Sequence, residues 1–368
     1  MFINNLTNHL GILVCPETKM KLTLHTLSEA EAKMQCRLTA LRGTSFFGVT
    51  PQVLVREDLK AAYPVVDGIP ILLIPEILGN KNVQREINMH DPKYSEAYEE
   101  MDFYNQFSIK EVEQINDSDA YSMVEKIYKA NKNEIAAFPA PIEIWIDAIY
   151  DCAAQWDAYK HIAPIKGKRI LQVGGKGIHA VKFLIGGAEE AWVISPMLGE
   201  AYFSMALAKA FNVADRIHFA VSIAEELPFQ SDLFDAAYSG GCLHHFVTEL
   251  ALPEIARVLI KGGRFSAADP WRAPLHAVGT RVFGKRETAV HCHPLTKERI
   301  KPLYNSFEVP RIIQHGTLTR YPLLALMKFG LNSSVSLVWQ INKIDDAICS
   351  CIPGMRAMGS SVVCLGIK

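Results

Sequence analysis

What this chain lacks narrows its class before any motif is read. It has almost no net charge, with 38 Lys and Arg against 39 Asp and Glu in 368 residues. No overall field then draws it to nucleic acid or to an anionic membrane surface, and neither partner is expected. Its eight cysteines are Cys15, Cys36, Cys152, Cys242, Cys292, Cys349, Cys351 and Cys364, and no two form a C-x-x-C pair. A zinc ribbon or dithiol centre built on such pairs is excluded, and reduced thiols are the simplest reading. Cys349 and Cys351 stand two apart and read as packing near an apolar C-terminus. Long apolar runs are missing too. The stretch Pro322 to Ile341 is broken by Lys328, Gly330, Asn332 and several serines, short of the roughly 18 to 20 residues of a spanning helix. It reads as buried helix plus strand. Met1-Phe-Ile-Asn-Asn-Leu lacks the basic flank and apolar stretch of a secretory signal, so a cytoplasmic location is expected.

What is present is ample core material, 49% hydrophobic residues, enough for more than one unit. Residues 1–79 read as a small β-rich module. Tyr63-Pro-Val-Val-Asp-Gly-Ile-Pro-Ile-Leu-Leu-Ile74 places a turn at Asp67-Gly68 between two β-rich runs, a hairpin signal. Together with Cys15-Pro16 and Lys19, this segment resembles the small zinc-ribbon-like family that activates several methyltransferases. Thr18 stands where that family's second cysteine would fall, so the module is expected to be metal-free and structural, a brace or lid, or else a small β domain with no partner role. Residues 80–160 turn polar, aromatic and helical in pattern, with Tyr94, Tyr98 and Met101 at helical spacing. Core packing is one reading of that face. The other is a cap in which Tyr98, Tyr104 or Trp145 lines a substrate pocket.

Residues 161–368 alternate short strands and helices. Arg169 to Val173, Ala191 to Ile194, His218 to Val221, Phe234 to Tyr238 and Arg264 to Ala268 read as strands. This predicts an α/β, Rossmann-like doubly wound sheet with helices on both faces. Ser360 to Lys368 is β-rich and suits a closing antiparallel edge strand. Gly174-Gly175-Lys176-Gly177 follows the first of these strands and opens a helix near Ile178, where glycines permit a sharp turn and the free N–H groups of a helix N-terminus can face a ligand.

Ile170 to His179, Glu225 to Phe229, Phe234-Asp235 and Arg257 to Gly263, in that order and spacing, resemble the class I S-adenosylmethionine (SAM)-dependent methyltransferases, most closely the small-molecule, quinone C-methyltransferase type. The resemblance implies SAM as cofactor, held at Gln172, Gly174, Gly175, Gly177, Ser195, Ile223 and Ala224. In that family three carboxylates serve the amino acid, ribose and adenine of SAM. Here Gln172, Val193 or Ser195, and Ile223 occupy those places, none able to carry a negative charge. Loss of one charged acceptor typically removes about 1.5 to 3 kcal/mol. Glu190 or Glu200 restores one carboxylate if the alignment shifts.

Ser239-Gly-Gly-Cys-Leu-His-His-Phe246 follows the fourth strand, where the resemblance implies substrate-facing residues. A neutral imidazole there can take a proton from a phenol or an acidic carbon, making His245 the expected base, with His244 and Asp269 beside it. The bland reading is that the paired histidines cap the next helix. After the fifth strand come His276, Lys285-Arg-Glu287 and His291-Cys-His293. An H-x-H on a strand puts both imidazoles on one face, so His245, His291 and His293 are an alternative set for a transition metal; the bland alternative is a solvated lid. Arg272 to Lys301 carries a local basic excess that suits an anionic substrate or a solvated face. The expected activity is methyl transfer from SAM to oxygen, nitrogen or carbon of a small organic acceptor, within secondary metabolism. Two alternatives stand beside it: a metal-dependent enzyme on the same fold that no longer uses SAM, and a non-catalytic methyltransferase-like partner.

Overall fold

The structure is a computed structural model that describes residues 6–26, 52–73, 76–77, 108, 110–112, 151–274, 293–329 and 335–368. Tyr94, Tyr98, Met101, Tyr104, Trp145, His276, Lys285 to Glu287, His291 and Cys292 lie outside them.

The N-terminal module starts with a short helix, α1 (Leu6–His9), and holds strands β1 (Leu22–Thr26), β2 (Gln52–Arg56), β3 (Ala61–Val66), β4 (Ile69–Pro70) and β5 (Glu76–Ile77). They form a five-stranded antiparallel sheet in the order β1-β2-β3-β4, with β5 on β3. The hairpin expected at Asp67-Gly68 is present. Both residues have positive φ, 50° and 78°, the backbone of a tight turn whose twist matches the flanking strands.

The larger unit contains α2 (Cys152–Ile162), β6 (Arg169–Val173), α3 (Ile178–Ile185), β7 (Glu190–Ser195), α4 (Leu198–Ala210), β8 (Ile217–Val221), β9 (Phe234–Gly240), α5 (Thr248–Val258), β10 (Leu259–Pro270), α6 (Lys301–Ser306), β11 (Arg311–His315), α7 (Arg320–Lys328), α8 (Val335–Cys351) and β12 (Ser361–Ile367). Its seven strands run β11-β12-β10-β9-β6-β7-β8. All neighbours are parallel except at β12, which is antiparallel to both β10 and β11. Strands β7 and β8 are buried at every position. Parallel strands covered by helices on both faces need such continuous apolar runs, which is why the sequence marks them clearly.

Two expectations fail here. The described residues from Pro322 to Ile341 lie in helices α7 and α8, with no strand among them, because apolar content without a strict two-residue alternation does not decide between helix and strand. The closing strand β12 is antiparallel, as expected, but it is not at the edge. Its first six residues are buried, and β11, half exposed along its length, covers it.

The N-terminal module joins the larger sheet at β8. Ile71 bridges Val221 in parallel, with Leu72 N–H donating to Val221 O at 2.7 Å, and Val14 N–H donates to Pro228 O at 3.0 Å. One apolar cluster runs from Leu6, Leu13, Leu54 and Tyr63 through to Trp192, Phe229 and Phe265. Cys15 Sγ lies 3.1 Å from the Tyr63 hydroxyl inside it.

At the far side, β11 is tied down by charge. His315 is 3% exposed and sits between Asp157 of α2, Nε2 to Oδ2 3.2 Å, and Asp346 of α8, Nδ1 to Oδ2 2.9 Å. Burial alone would lower its pKa, but the two carboxylates prevail and raise it to about 9. A folded-state pKa above the unfolded value of about 6.5 stabilises the fold fully below that pH, and the contribution fades as pH rises through 9. His315→Gln is therefore expected to cost roughly 2 kcal/mol at mildly acidic pH, discounted for the partly exposed carboxylates, and much less above pH 9. Urea unfolding at the two pH values checks this, and an equal loss at both would contradict it.

Candidate active site

The carboxyl ends of the parallel strands β6, β7, β9 and β10 lie at one end of the sheet, where sheets of this kind bind ligands in a crevice. Its first wall is the glycine loop. Gly174, Gly175 and Gly177 all have positive φ, 84°, 77° and 69°, and Gly174 N–H donates to Ile194 O at 2.7 Å. The space matters as much as the angle. A Cβ on Gly174 would stand 2.6 Å from Cys242 Cβ, and one on Gly177 would stand 2.8 Å from Ser204 Cβ. Gly177 is the N-cap of α3.

Gln172 has a different task from the one the resemblance implied. It is 1% exposed, its Nε2 donates to Gly174 O at 2.9 Å, and its Oε1 accepts Ala180 N–H at 2.8 Å. The amide thus braces the loop against the first turn of α3. Val193 is buried within β7. Ile223 and Ala224 are 4% exposed each, after β8, and give the crevice an apolar flank.

Glu200 and Glu190 are separated by the whole length of β7. Glu190 begins that strand, at the end away from the crevice, whereas Glu200 lies in the first turn of α4 just beyond it. Ser195 Oγ donates to Glu200 Oε2 at 2.5 Å and accepts Met197 N–H at 3.1 Å. Burial raises the Glu200 pKa, and the Ser195 hydroxyl, Lys176 and His245 oppose the rise. Lys176 of the loop pairs with Glu111 and lies over the Phe203 ring, 5.4 Å from its centroid. A carboxyl group therefore reaches this end of the sheet from the helix turn, from Glu200, one of the two glutamates that the sequence offers in place of the missing strand-end acid.

The opposite wall is the two-histidine turn. Asp269, near the end of β10, accepts His244 N–H at 3.1 Å and pairs with His244 Nδ1 at 2.8 Å through the same oxygen, Oδ1. Its Oδ2 is buried with no hydrogen-bond partner among the described residues. With Nδ1–H directed at the carboxylate, the His244 tautomer is fixed. His245 is half-buried and its ring lies 4.0 Å from that of His244, centroid to centroid. Arg299 holds the turn from outside, donating to His244 O at 3.0 Å, to Phe246 O at 2.9 Å and to His293 O.

The alternative metal set is not assembled among the described residues. His293 is exposed and lies in no strand, His291 is outside the described residues, and the cluster of potential ligands that does form there excludes His244, His245, Asp269 and His293. Arg272, Lys297 and Lys301 are exposed.

A further group escaped the sequence reading. His179, the second residue of α3, hydrogen-bonds the Tyr159 hydroxyl through Nδ1, and its ring lies 4.7 Å from that of Tyr238. A Cβ on Gly240 would meet His179 Nε2 at 2.8 Å and the Tyr238 hydroxyl at 2.9 Å. The only signal was a histidine two positions after the glycine loop.

Residues 198–267 match the family model described as a methyltransferase domain. The tRNA U34 carboxymethyltransferases of Psychrobacter arcticus and Psychrobacter cryohalolentis are 31% identical over 130 residues and 30% identical over 134 residues; each match covers 33% of this chain and 37% of the relative. The chain thus spans little more than a third of the length of the curated relatives it matches. Among solved structures, geranyl diphosphate C-methyltransferase from Streptomyces coelicolor A3(2), in complex with Mg2+, geranyl diphosphate and S-adenosyl-L-homocysteine, is 14% identical with a TM-score of 0.45, over 58% of this chain and 77% of that one. The expectation of no nucleic-acid partner is overturned by relatives named for tRNA. Net charge near zero was a poor guide, because it averages over a surface and does not describe one face. No helix among the described residues is long and apolar enough to cross a membrane. The segment similar to a methyltransferase domain thus lies within a Rossmann-like, largely parallel sheet.

Proposed function

We propose that the chain is a SAM-dependent transferase that moves a methyl-type group to a nucleophilic acceptor. The observation that supports this reading is a three-glycine loop at the carboxyl end of β6, with all three glycines at positive φ and with Gly174 and Gly177 packed too closely against Cys242 and Ser204 to admit a Cβ, beside the buried Glu200. These residues fit the cofactor. Gly174, Gly175 and Gly177 would hold its amino-acid end at the amino end of α3, Glu200 with Ser195 would accept the ribose hydroxyls, and Ile223 and Ala224 would cover the base. When bound, SAM supplies an electrophilic carbon on a sulfonium centre.

The chain's own work is alignment and proton transfer. Asp269 fixes His244, the His244 ring supports that of His245, and His245 Nε2 or Nδ1 takes the acceptor's proton as its nucleophilic atom attacks. The acceptor is a small organic molecule in the reading from sequence. The relatives named for tRNA U34 favour a nucleoside in RNA, to which they attach a carboxymethyl group by name. The exposed Arg272, Lys297 and Lys301 near the two-histidine turn suit either a polyanion or a small anionic substrate.

The test is release of S-adenosylhomocysteine from SAM by the full chain, with bulk tRNA in one series and small phenolic and carboxylic acceptors in another. Turnover stimulated by tRNA supports the RNA acceptor, and turnover with small acceptors alone supports the other. No turnover in any series, with the cofactor bound, would sink the proposed activity.

A further inference from the structure

At the end of the sheet remote from the crevice, β7 begins at Glu190, and His218 is the second residue of its neighbour β8. His9, the last residue of α1, folds over both. Glu190 Oε1 stands 3.4 Å from His9 Nδ1 and 3.4 Å from His218 Nε2. The three potential ligand atoms all lie within 4.8 Å of one another. Both 3.4 Å separations are longer than the roughly 2.7–3.2 Å of an N–H···O hydrogen bond. They match instead the edge of a zinc tetrahedron, since ligands at about 2.0–2.2 Å from a common centre stand about 3.4 Å apart.

The surroundings prepare each group for that role. Trp192 Nε1 donates to Glu190 Oε1 at 2.8 Å, which leaves that oxygen's second lone pair, and Arg169 Nε donates to Oε2 at 2.6 Å. Outer contacts of this kind orient a ligating carboxylate. Burial alone would raise the Glu190 pKa, yet Trp192 and Arg169 hold it below the ordinary value. His218 is 5% exposed. Its Nδ1, the nitrogen turned away from Glu190, is buried with no hydrogen-bond partner among the described residues, so packing and no outer hydrogen bond orients this ring. The two imidazoles face one another with centroids 3.9 Å apart. Within the protein alone, two rings converge on one carboxylate oxygen without hydrogen-bonding distance to it.

We infer that His9, Glu190 and His218 bind a divalent transition metal of the zinc type, with the fourth position open on the solvent side of His9. Two nitrogen donors and one oxygen suit Zn2+ or Co2+ and disfavour Mg2+ or Ca2+, which take oxygen ligands. The metal has a structural task. Helix α1 has only four residues, far below the length at which a helix holds itself, and a metal shared with β7 and β8 fastens that turn to the sheet.

The experiment uses the full chain without an affinity tag, stripped with a chelator and titrated with Co2+. The expected result is one equivalent bound, with visible absorption of a tetrahedral centre, no sulfur-to-metal charge-transfer band, displacement by Zn2+ and a higher melting temperature with metal. His9→Gln changes a partly exposed residue and is expected to keep the fold, as far-UV circular dichroism would show. It should weaken Co2+ binding beyond the ~10- to 100-fold typical of losing an outer contact, and His218→Gln should do the same. No stoichiometric Co2+ spectrum in the wild type would overturn the site. So would a spectrum unchanged in both variants, or a thiolate band placing the metal at a cysteine.

Discussion

Gly174→Ala is expected to weaken S-adenosylhomocysteine binding by about 100-fold and to destabilise the fold by about 2–4 kcal/mol, the sum of backbone strain and overpacking. Gly167→Ala shares nearly the same backbone angle and should lose only the strain. The comparison isolates the space, because φ is +84° at Gly174 and +68° at Gly167, whereas the added Cβ meets Cys242 at 2.6 Å in the first case and nothing within 4 Å in the second. Cys242 leads directly into the two-histidine turn, so an alanine at 174 forces apart the two walls of the crevice. Calorimetric titration of both variants, with urea unfolding alongside, gives the two numbers. Equal binding by the two variants would show that the loop does not cradle a ligand.

His245→Ala is expected to lower kcat by about 100-fold or more, the usual weight of a general base, while leaving cofactor affinity within about 3-fold. Asp269→Ala acts by another route. It removes the carboxylate that accepts both His244 N–H and Nδ1–H and so loosens the turn that carries His245. Losing it should lower kcat too, and leaving two buried donors unpaired should destabilise the protein by about 2 kcal/mol. Added imidazole distinguishes the roles: it should restore part of the rate in His245→Ala and none in Asp269→Ala. Full activity of His245→Ala would remove it as the base and turn attention to His179, which faces the same crevice from α3.

Much of the fold was legible because its central strands are buried on both faces. Arg169-Ile-Leu-Gln-Val173 and Ala191-Trp-Val-Ile194 read as strands from the sequence; the structure keeps the first and extends the second by one residue at each end. The edge was less legible. Arg311-Ile-Ile-Gln-His315 carries polar residues at both ends, because an edge strand keeps water on one side and, here, an ion pair to helices that the sequence does not show as neighbours. That neighbour relation also hid the place of β12, whose sequence reveals a buried strand but not which strand covers it.

The site divides in the same way. Gly174, Gly175 and Gly177 were readable because only glycine takes those angles at so close an approach. Glu200 was harder, since its carboxyl group reaches the crevice from a helix turn, five residues past the strand end where the family places its acid. His9, Glu190 and His218 could not be read at all. Three ordinary residues far apart in sequence converge only because α1 lies across the amino ends of two adjacent strands.

Binding of S-adenosylhomocysteine to the full-length wild type and to Glu200→Ala, followed by titration calorimetry, bears most directly on the cofactor crevice. The expected result is one site of micromolar affinity in the wild type, weakened about 10- to 100-fold in the variant by loss of the carboxyl acceptor. No heat of binding in the wild type at millimolar ligand would contradict a SAM-type cofactor site between the glycine loop and α4.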